Sequence, residues 1–366
     1  MSQQLKISNI NVLTEEYVPA ELPAREKELK ELLDNTERPI PKNIYLFGDK
    51  GLGKTALVTN FIRTLNIQRP DITTIYISCR RTLSETFEQN FPNLPPRRVS
   101  HIWFDKSSGK KNTIVFDDVG KLWRKKELSY LLHDLYDSQG QKHKKISAIV
   151  VGTMTPRIFD RDFLTEPVVS RYGFNALPLT RYNATQLKAI IQQRIMLGLK
   201  GQVNGNAVDF IVSKIERHNS DVRLGIRILA NAAYRAEKQE KPLTLEYAQA
   251  GWEEEKYKWW TSEIEALHPH VAFLLYLIYL FQKNECTTSR EIYYHYQQNL
   301  NKYKIKPMVV RQLRTYLDTL EKQGWITIDT TFTPRTGKQS KIQLTDAPQD
   351  TLKTIFEGID WTQYLK

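Results

Sequence analysis

The segment 48–55, Gly-Asp-Lys-Gly-Leu-Gly-Lys-Thr, constrains the fold of this chain more than any other feature. It fits the pattern G-x-x-x-x-G-K-[ST], follows the apolar run 43–47 and precedes helical spacing over 56–62. A strand, a glycine loop and a helix in this order predict a phosphate site, because backbone N–H groups and the helix N-terminus then surround the phosphates. An ordinary glycine-rich turn between a strand and a helix is the alternative interpretation.

The phosphate-site interpretation assigns roles to individual residues. Lys54 is expected on the β- and γ-phosphates of a bound ATP or ADP, and the Thr55 hydroxyl on Mg²⁺. The nucleotide-binding residues predicted from this segment are Gly48, Asp49, Lys50, Gly51, Leu52, Gly53, Lys54, Thr55 and Ala56.

Length, composition and charge limit the class of protein. A chain of 366 residues is long enough for two or three domains. Its apolar runs are too short to cross a bilayer, and the two cysteines, Cys79 and Cys286, indicate no disulfide framework, so we expect a cytoplasmic protein. The net charge is +12, and residues 302–341 carry nine Lys and Arg against three acidic residues. This local excess favours nucleic acid as a partner, although charge of this kind also serves solubility.

The order of apolar patterns predicts three domains. Short β-rich runs alternate with helical stretches up to about residue 180, which predicts an α/β domain with a parallel sheet and helices on both faces. The runs are 43–47, 73–78, 113–116, 147–152 and 175–178. Four helical patterns without a strand pattern follow, over 184–197, 205–218, 221–237 and 245–255. We therefore divide the chain into a nucleotide-binding domain (1–180), a helical lid (181–262) and a third domain (263–366).

The third domain has the element order of a winged helix. Helical patterns over 271–283, 291–300 and 308–323 are followed by two β-rich segments, 325–332 and 341–344. Thr288 or Ser289 is expected to cap the second helix, and Ser289 is the favoured N-cap of the two. A further helix is expected in the tail 350–365, and we assign it no function.

The third helix of this domain and the wing supply candidate DNA contacts. The apolar residues Val309, Val310, Leu313, Leu317 and Leu320 are expected to pack inward, which leaves a basic outer face for the major groove. A solvated basic face on a protein-binding winged helix is the alternative. The candidate DNA-binding residues are Lys304, Lys306, Arg311, Gln312, Arg314, Thr315, Arg335, Lys338 and Lys341.

A second phosphate-site element follows the apolar run 113–116. Asp117, at the tip of the predicted strand, is expected to hold Mg²⁺, and Asp118 to polarise the attacking water. Two acids after a short strand also occur in ordinary turns. The glycine loop upstream favours the metal site.

Together these elements resemble the AAA+ ATPases, and more narrowly the archaeal and eukaryotic origin-recognition initiators. The similarity covers nearly the whole chain. Segment 16–26 resembles the family's run beside the adenine, which adds Tyr17, Val18, Pro19 and Arg25 to the nucleotide-binding residues. The other segments that resemble the family are 75–79 (second strand), 148–155 (sensor 1), 169–171 (arginine finger), 221–225 (sensor 2), and 311–320 with 324–326 (winged helix).

The resemblance gives roles to two arginines. Arg223 is expected to reach the γ-phosphate from the lid, or else to cap its own helix. Arg171 is expected to act on the nucleotide of a neighbouring copy, which requires an oligomer.

Two residues depart from the family pattern. Asp118 stands where the family usually has Glu, and its carboxylate is one methylene shorter. Thr155 stands at the sensor 1 position, where Asn is usual, and its hydroxyl has less reach than an amide. We therefore expect slow ATP hydrolysis or a nucleotide-held switch.

The resemblance implies a DNA replication initiator. Such a protein binds double-stranded origin DNA and recruits a replicative helicase, and other initiator copies are possible partners. Two alternatives stay open: an AAA+ regulator of transposition or plasmid maintenance that assembles on DNA, and a nucleotide switch whose winged helix binds protein.

Overall fold

The computed structural model describes residues 4–79, 82, 85–86, 111–137, 146–282, 287–302, 309–333, 337–345 and 349–365. These residues divide into two compact units, Met1–Gly251 and Trp252–Lys366. Among the described residues, no helix is both long and apolar enough to cross a membrane.

A five-stranded parallel sheet forms the centre of the first unit. Its strands are β2 (Asn43–Phe47), β3 (Ile72–Ser78), β4 (Lys111–Asp117), β5 (Ile146–Gly152) and β6 (Phe174–Pro178). They are ordered β3-β4-β5-β2-β6. All seven residues of β5 are buried, as expected for a strand that has neighbours on both sides and covered faces. The five predicted strands are confirmed, each to within two residues at its start.

Helices connect these strands in the described parts of the chain. They are α1 (Glu26–Glu37), α2 (Lys54–Gln68), α3 (Glu127–Asp137), α4 (Pro156–Phe163) and α5 (Glu166–Tyr172). The helix after the glycine loop, α2, buries Leu57, Val58, Phe61 and Leu65 on one face. This spacing of three and four residues fixes which side of α2 faces the core.

Three helices complete the first unit: α6 (Ala184–Gly198), α7 (Gly205–Arg217) and α8 (Val222–Lys238). Asn183 and Gln186 form a reciprocal capping box that starts α6. Two-residue strands, β1 (Lys6–Ile7) and β7 (Leu199–Lys200), pair in antiparallel fashion beside these helices. The sequence prediction of an uninterrupted helical region missed β7, because two residues are too few to show an alternating pattern. A longer helix, α9 (Leu245–Glu265), contributes residues to both units.

The second unit contains the predicted three helices and the β-hairpin. The helices are α10 (Pro269–Gln282), α11 (Ser289–Lys302) and α12 (Val310–Lys322), and the strands are β8 (Thr287–Thr288), β9 (Ile326–Thr333) and β10 (Gly337–Leu344). The strands form a sheet in the order β8-β10-β9.

The N-cap of α11 differs from the prediction. Thr288 caps this helix in place of Ser289: its Oγ1 accepts from the Glu291 N–H at 3.3 Å, and the Glu291 carboxylate accepts from the Thr288 N–H at 2.8 Å. The reciprocal pair satisfies two donors at once, which a cap at Ser289 could not do with Glu291.

The C-terminal tail is part of the core of the second unit. It forms α13 (Gln349–Glu357) and α14 (Trp361–Tyr364). Leu352, Phe356 and Trp361 are buried there, and the Trp361 ring stacks on Tyr276 of α10 with centroids 4.9 Å apart. The tail therefore stabilises the winged helix by apolar burial.

The burial prediction for α12 was partly wrong. Leu313, Leu317 and Leu320 are buried as expected, but Val309 and Val310 are 67% and 61% exposed. The helix begins at Val310, so these two valines lie at its N-terminal end and not over the core.

Candidate functional site: a nucleotide cavity and a basic helix face

The glycine loop lies at the carboxyl edge of the sheet. It joins β2 to α2, and the neighbouring strands β4 and β5 end at the same edge in Asp117 and Gly152. Ligands of open parallel sheets bind at this edge, because the loops there diverge. Gly51 and Gly53 have φ angles of +78° and +79°, in the left-handed region that glycine adopts without steric cost.

Gly51 is also closely covered. A Cβ at this position would lie 2.1 Å from Oδ1 and 2.7 Å from Cα of Asp221, the residue that precedes α8. The glycine loop (residues 48–55, called the phosphate loop from here on) therefore touches the start of α8, and only a residue without a side chain fits between them.

Lys54 is held inside this loop. Its ammonium donates to the carbonyl oxygens of Gly48 at 2.8 Å and Asp49 at 2.7 Å, and the residue is only 8% exposed. Burial lowers the pKa of Lys54, and the nearby carboxylates of Asp118 and Asp117 oppose that shift. A buried ammonium bonded to two neutral carbonyls is suited to receive an anion.

Asp117 and Thr55 form a hard oxygen pair beside Lys54. The Asp117 carboxylate is 2% exposed and accepts from the Tyr76 hydroxyl at 2.7 Å, from the Asp118 N–H at 2.9 Å and from the Thr55 side chain. Burial raises its pKa, while the hydrogen bonds from Tyr76 and Thr55 lower it. A carboxylate and a hydroxyl fit Mg²⁺, which takes few protein ligands and completes its shell with water and phosphate oxygens. Tyr76 was not predicted, because its contact with Asp117 depends on the pairing of β3 with β4.

Asp118 has an unusual backbone and an ion pair. Its φ of +57° is in the left-handed region, which Asp tolerates better than most residues. Its carboxylate lies 2.7 Å from the ammonium of Lys121, and both side chains are about half exposed.

These residues line a cavity of about 260 Å³ within the first unit. Its lining includes eleven of the predicted residues: Tyr17, Pro19, Arg25, Lys50, Gly51, Gly53, Lys54, Thr55, Ala56, Asp118 and Arg223. Five of the residues predicted to bind nucleotide or Mg²⁺ lie outside the lining. Each is either adjacent in the chain to a lining residue or hydrogen-bonded to one: Val18, Gly48, Asp49, Leu52 and Asp117.

Part of the lining has no sequence motif. Tyr182, Gln193 and Arg194 are examples, from α6 and the residues just before it. Arg194 is buried and donates to the carbonyl oxygens of Val12 at 2.7 Å and Tyr17 at 2.9 Å. It thereby fastens the N-terminal segment to α6. Long-range contacts of this kind could not be read from the sequence.

Arg25 braces the cavity wall. It is 3% exposed, and its guanidinium donates to the Tyr182 hydroxyl at 3.0 Å, to Glu28 at 2.9 Å and to the carbonyl of Thr180 at 2.8 Å. The guanidinium also lies 3.9 Å from the Tyr182 ring centroid, and Tyr182 donates to the carbonyl of Leu52 in the phosphate loop at 3.0 Å. Arg25 therefore positions the loop through Tyr182.

Arg223 approaches the cavity from the first turn of α8. Its guanidinium forms two hydrogen bonds with the carboxylate of Asp221, at 3.0 and 2.8 Å. Asp221 also accepts from the Arg223 N–H at 3.1 Å and so caps the helix. The residue predicted to sense the γ-phosphate thus lies beside the loop, paired with an acid.

Two predicted catalytic residues lie elsewhere. Thr155 is the exposed N-cap of α4, outside the described lining of the cavity, while Thr153 two residues earlier is part of that lining. Arg171 is an exposed residue of α5 and lines a separate open depression of about 860 Å³ together with Lys126, Arg161 and Ser170.

The predicted DNA contacts of the second unit are partly described. Arg311, Gln312, Arg314 and Thr315 are all exposed on the first two turns of α12, and Lys341 is exposed on β10. Lys338 lies on β10, opposite Phe332. Lys304, Lys306 and Arg335 lie outside the described residues.

Comparisons with known proteins agree with both units. Residues 262–354 match the family described as the CDC6 C-terminal winged helix domain. The chain is 22% identical to the ORC1-type DNA replication protein 1 of Archaeoglobus fulgidus, over 98% of this chain and 92% of the relative. It is 26% identical to the protein of the same description from Sulfolobus acidocaldarius, over 95% and 92%.

Solved structures show the same fold. The Aeropyrum pernix ORC1 protein in complex with DNA has a TM-score of 0.69 and 20% identity, over 98% of this chain and 99% of that one. The Aeropyrum pernix ORC2 protein, in its ADPNP and ADP complexes, also has a TM-score of 0.69, at 19% identity and 98% coverage of both chains. The predicted fold class is confirmed: an AAA+ α/β core with a parallel sheet, a helical lid and a C-terminal winged helix. The resemblance predicted from the sequence is also confirmed: the chain is similar to the ORC1-type DNA replication proteins over nearly its whole length, and its C-terminal domain matches the CDC6 winged helix family.

Proposed function

We propose that this chain is an ATP-binding DNA replication initiator that acts in the cytoplasm on origin DNA, with its ATP or ADP state serving as a slow switch. One observation supports nucleotide binding above all others: the Lys54 ammonium is buried at the N-terminus of α2, where it donates to two loop carbonyls. It lines the same cavity as Arg223. The domain division into 1–180, 181–262 and 263–366 is part of this proposal.

Each residue of the cavity has a proposed task when nucleotide is bound. Lys54 and the loop N–H groups bind the phosphates, and Thr55 and Asp117 hold Mg²⁺. Bound ATP supplies a phosphoanhydride bond that water can cleave. Asp118 orients that water, and Arg223 exchanges its bond with Asp221 for the γ-phosphate, which couples the start of α8 to the nucleotide.

Slow hydrolysis follows from the residues present. Asp118 has a short side chain and is paired with Lys121, so its carboxylate is poorly placed to orient water. Thr155, the expected sensor, is an exposed helix cap. We propose that Thr153 contributes the polar contact from β5, and that Arg171 acts only in an assembly of several copies.

DNA binding is proposed for the exposed basic face of α12 and for the wing, with the AAA+ domain as a second contact. Arg311 and Arg314 are free of ion pairs among the described residues, so their charges are available to phosphates and guanine edges. The Aeropyrum pernix ORC1 structure, which contains DNA, supports this assignment by similarity of fold. Recruitment of a replicative helicase is implied by the resemblance alone.

A titration with fluorescent ATP tests the nucleotide site. Lys54→Ala removes a charged contact to phosphate, so we expect ATP affinity to fall at least about tenfold. Lys30→Ala, at a 75% exposed lysine of α1, is the matched control and should bind as the wild type does. Equal affinity of all three proteins would reject the site.

A nuclease footprint on the DNA that flanks the gene tests the initiator function. We expect a discrete protected site that differs between ATP and ADP and weakens in the double variant Arg311→Ala, Arg314→Ala. Lys353→Ala, on α13, is the control for loss of an exposed cation. Uniform coating would favour a regulator that assembles on DNA, and no protection would favour a protein-binding winged helix.

A further inference from the structure

The first turn of α12 exposes two apolar side chains that the fold does not use. Val309 and Val310 are 67% and 61% exposed, while Leu313, Leu317 and Leu320 of the same helix are at most 3% exposed. The three leucines, together with the partly buried Tyr316, make the core contacts of α12. The two valines, here called the valine pair, are available to a partner.

The surroundings of the valine pair indicate which partner. Val309 is the N-cap of α12 and Val310 its first residue. Arg311 follows directly, and Arg314 lies one turn beyond Val310 on the same side, so two exposed cations flank the apolar surface. In helix-turn-helix relatives the first turn of this helix contacts base edges. The flanking positive charge favours a polyanion over an apolar protein surface.

We propose that the valine pair contacts the 5-methyl group of thymine in the major groove. Valine carries no donor or acceptor, so it cannot pair with the polar groups of guanine, cytosine or adenine without leaving them unsatisfied. Thymine is the base that presents a methyl group in that groove. This inference rests on the proposed DNA-binding function and adds a statement about the site, which contains thymine beside the base pairs that Arg311 and Arg314 contact.

Replacement of thymine by uracil tests the proposal directly, because deoxyuridine keeps every hydrogen-bonding group and removes only the methyl. The probe is a 30-base-pair duplex, selected by the full-length protein from a random pool and remade with each dT in turn replaced by dU. We expect about fourfold weaker binding at one or two positions, the loss associated with one buried methyl group.

Protein variants show whether the valines read that methyl. Val309→Ser and Val310→Ser remove both methyl groups of each valine and leave a hydroxyl group in place of one of them, so no apolar group remains to contact the thymine methyl. In the double variant we expect the ratio of dT to dU affinity to fall close to one at the sensitive positions. Because the ratio is measured within each protein, any loss of folding cancels. Ile67→Ser, at a 76% exposed β-branched residue of α2, is the control and should keep the wild-type ratio.

Three results would overturn the inference. Equal wild-type affinity for all dU duplexes would show that no methyl group is contacted. A dU effect of the same size in the double valine variant would assign the methyl contact to other residues. Failure of the wild type to select any duplex from the pool would instead remove the proposed DNA-binding function, and this inference with it.

Discussion

Replacing Gly51 with alanine places a methyl group where Asp221 already lies. The added Cβ would be 2.1 Å from Oδ1, 2.4 Å from Cγ and 2.7 Å from Cα of Asp221. Rotation of the Asp221 side chain could move the first two atoms but not the Cα. The phosphate loop and the start of α8 must therefore separate in this variant.

The cost has two parts that can be estimated separately. Alanine at a φ of +78° costs about 1–2 kcal/mol in backbone strain alone. The overlap with Asp221 adds an overpacking term of about 1–3 kcal/mol. We expect Gly51→Ala to lower the free energy of unfolding by about 2–5 kcal/mol in total, and to weaken ATP binding because Arg223 moves away with α8.

Gly324 provides a control matched in backbone angle. It also has a φ of +78°, but a Cβ there would meet no atom within 4 Å. Gly324→Ala should therefore show the strain cost without the overlap and leave ATP affinity unchanged. Urea unfolding followed by circular dichroism gives the stabilities, and a fluorescent-ATP titration gives the affinities.

Asp221→Gly tests the reasoning further, because it removes the carboxylate but keeps the Cα at 2.7 Å. The double variant Gly51→Ala, Asp221→Gly should regain only part of the lost affinity. The contact argument is refuted if Gly51→Ala matches Gly324→Ala in stability loss and binds ATP as the wild type does.

Three more changes have expected outcomes. Arg25→Ala leaves Glu28 and Tyr182 without their buried hydrogen-bond partner and should lower the free energy of unfolding, measured in urea, by about 3–5 kcal/mol. A loss below about 1 kcal/mol would show that Arg25 does not stabilise the cavity wall. Burial lowers the pKa of His218 from 6.5 to about 4. Between these two pH values the unfolded chain binds more protons than the folded protein, so acidification from pH 7 to 4 should lower the free energy of unfolding by on the order of 2 kcal/mol. The His218→Gln variant should not show this loss. Asp118→Glu lengthens the carboxylate and should raise the rate of phosphate release by roughly tenfold; an unchanged rate would show that its length is not limiting.

Local patterns in the sequence predicted the parts of the fold that depend on near neighbours. The strand before the glycine loop, the loop and α2 occupy 26 consecutive positions, 43–68, and their order predicts a phosphate site. Asp117 ends β4, as predicted from the β-prone run 113–116 together with the glycine loop upstream. The carboxyl ends of parallel strands then meet at one edge.

Contacts between distant residues could not be predicted in the same way. Arg25 was predicted to contact nucleotide, and no role was predicted for Arg194. Both donate to backbone carbonyls far along the chain, Arg25 to Thr180 and Arg194 to Val12. Val309 and Val310 fitted the apolar face of a helix. Their exposure follows from where α12 begins, and helix starts are the boundaries that sequence patterns define least well.

Asp221 shows how the loop and the lid come to be coupled through one side chain. Its carboxylate caps α8, holds Arg223 with two hydrogen bonds and packs against Gly51 of the phosphate loop. Phosphate oxygens entering beside Gly51 would repel this carboxylate and attract the guanidinium that it holds. Under the proposed function, we therefore expect a bound triphosphate either to part Asp221 from Arg223 or to shift the start of α8. Either movement would transmit the presence of the γ-phosphate to α8.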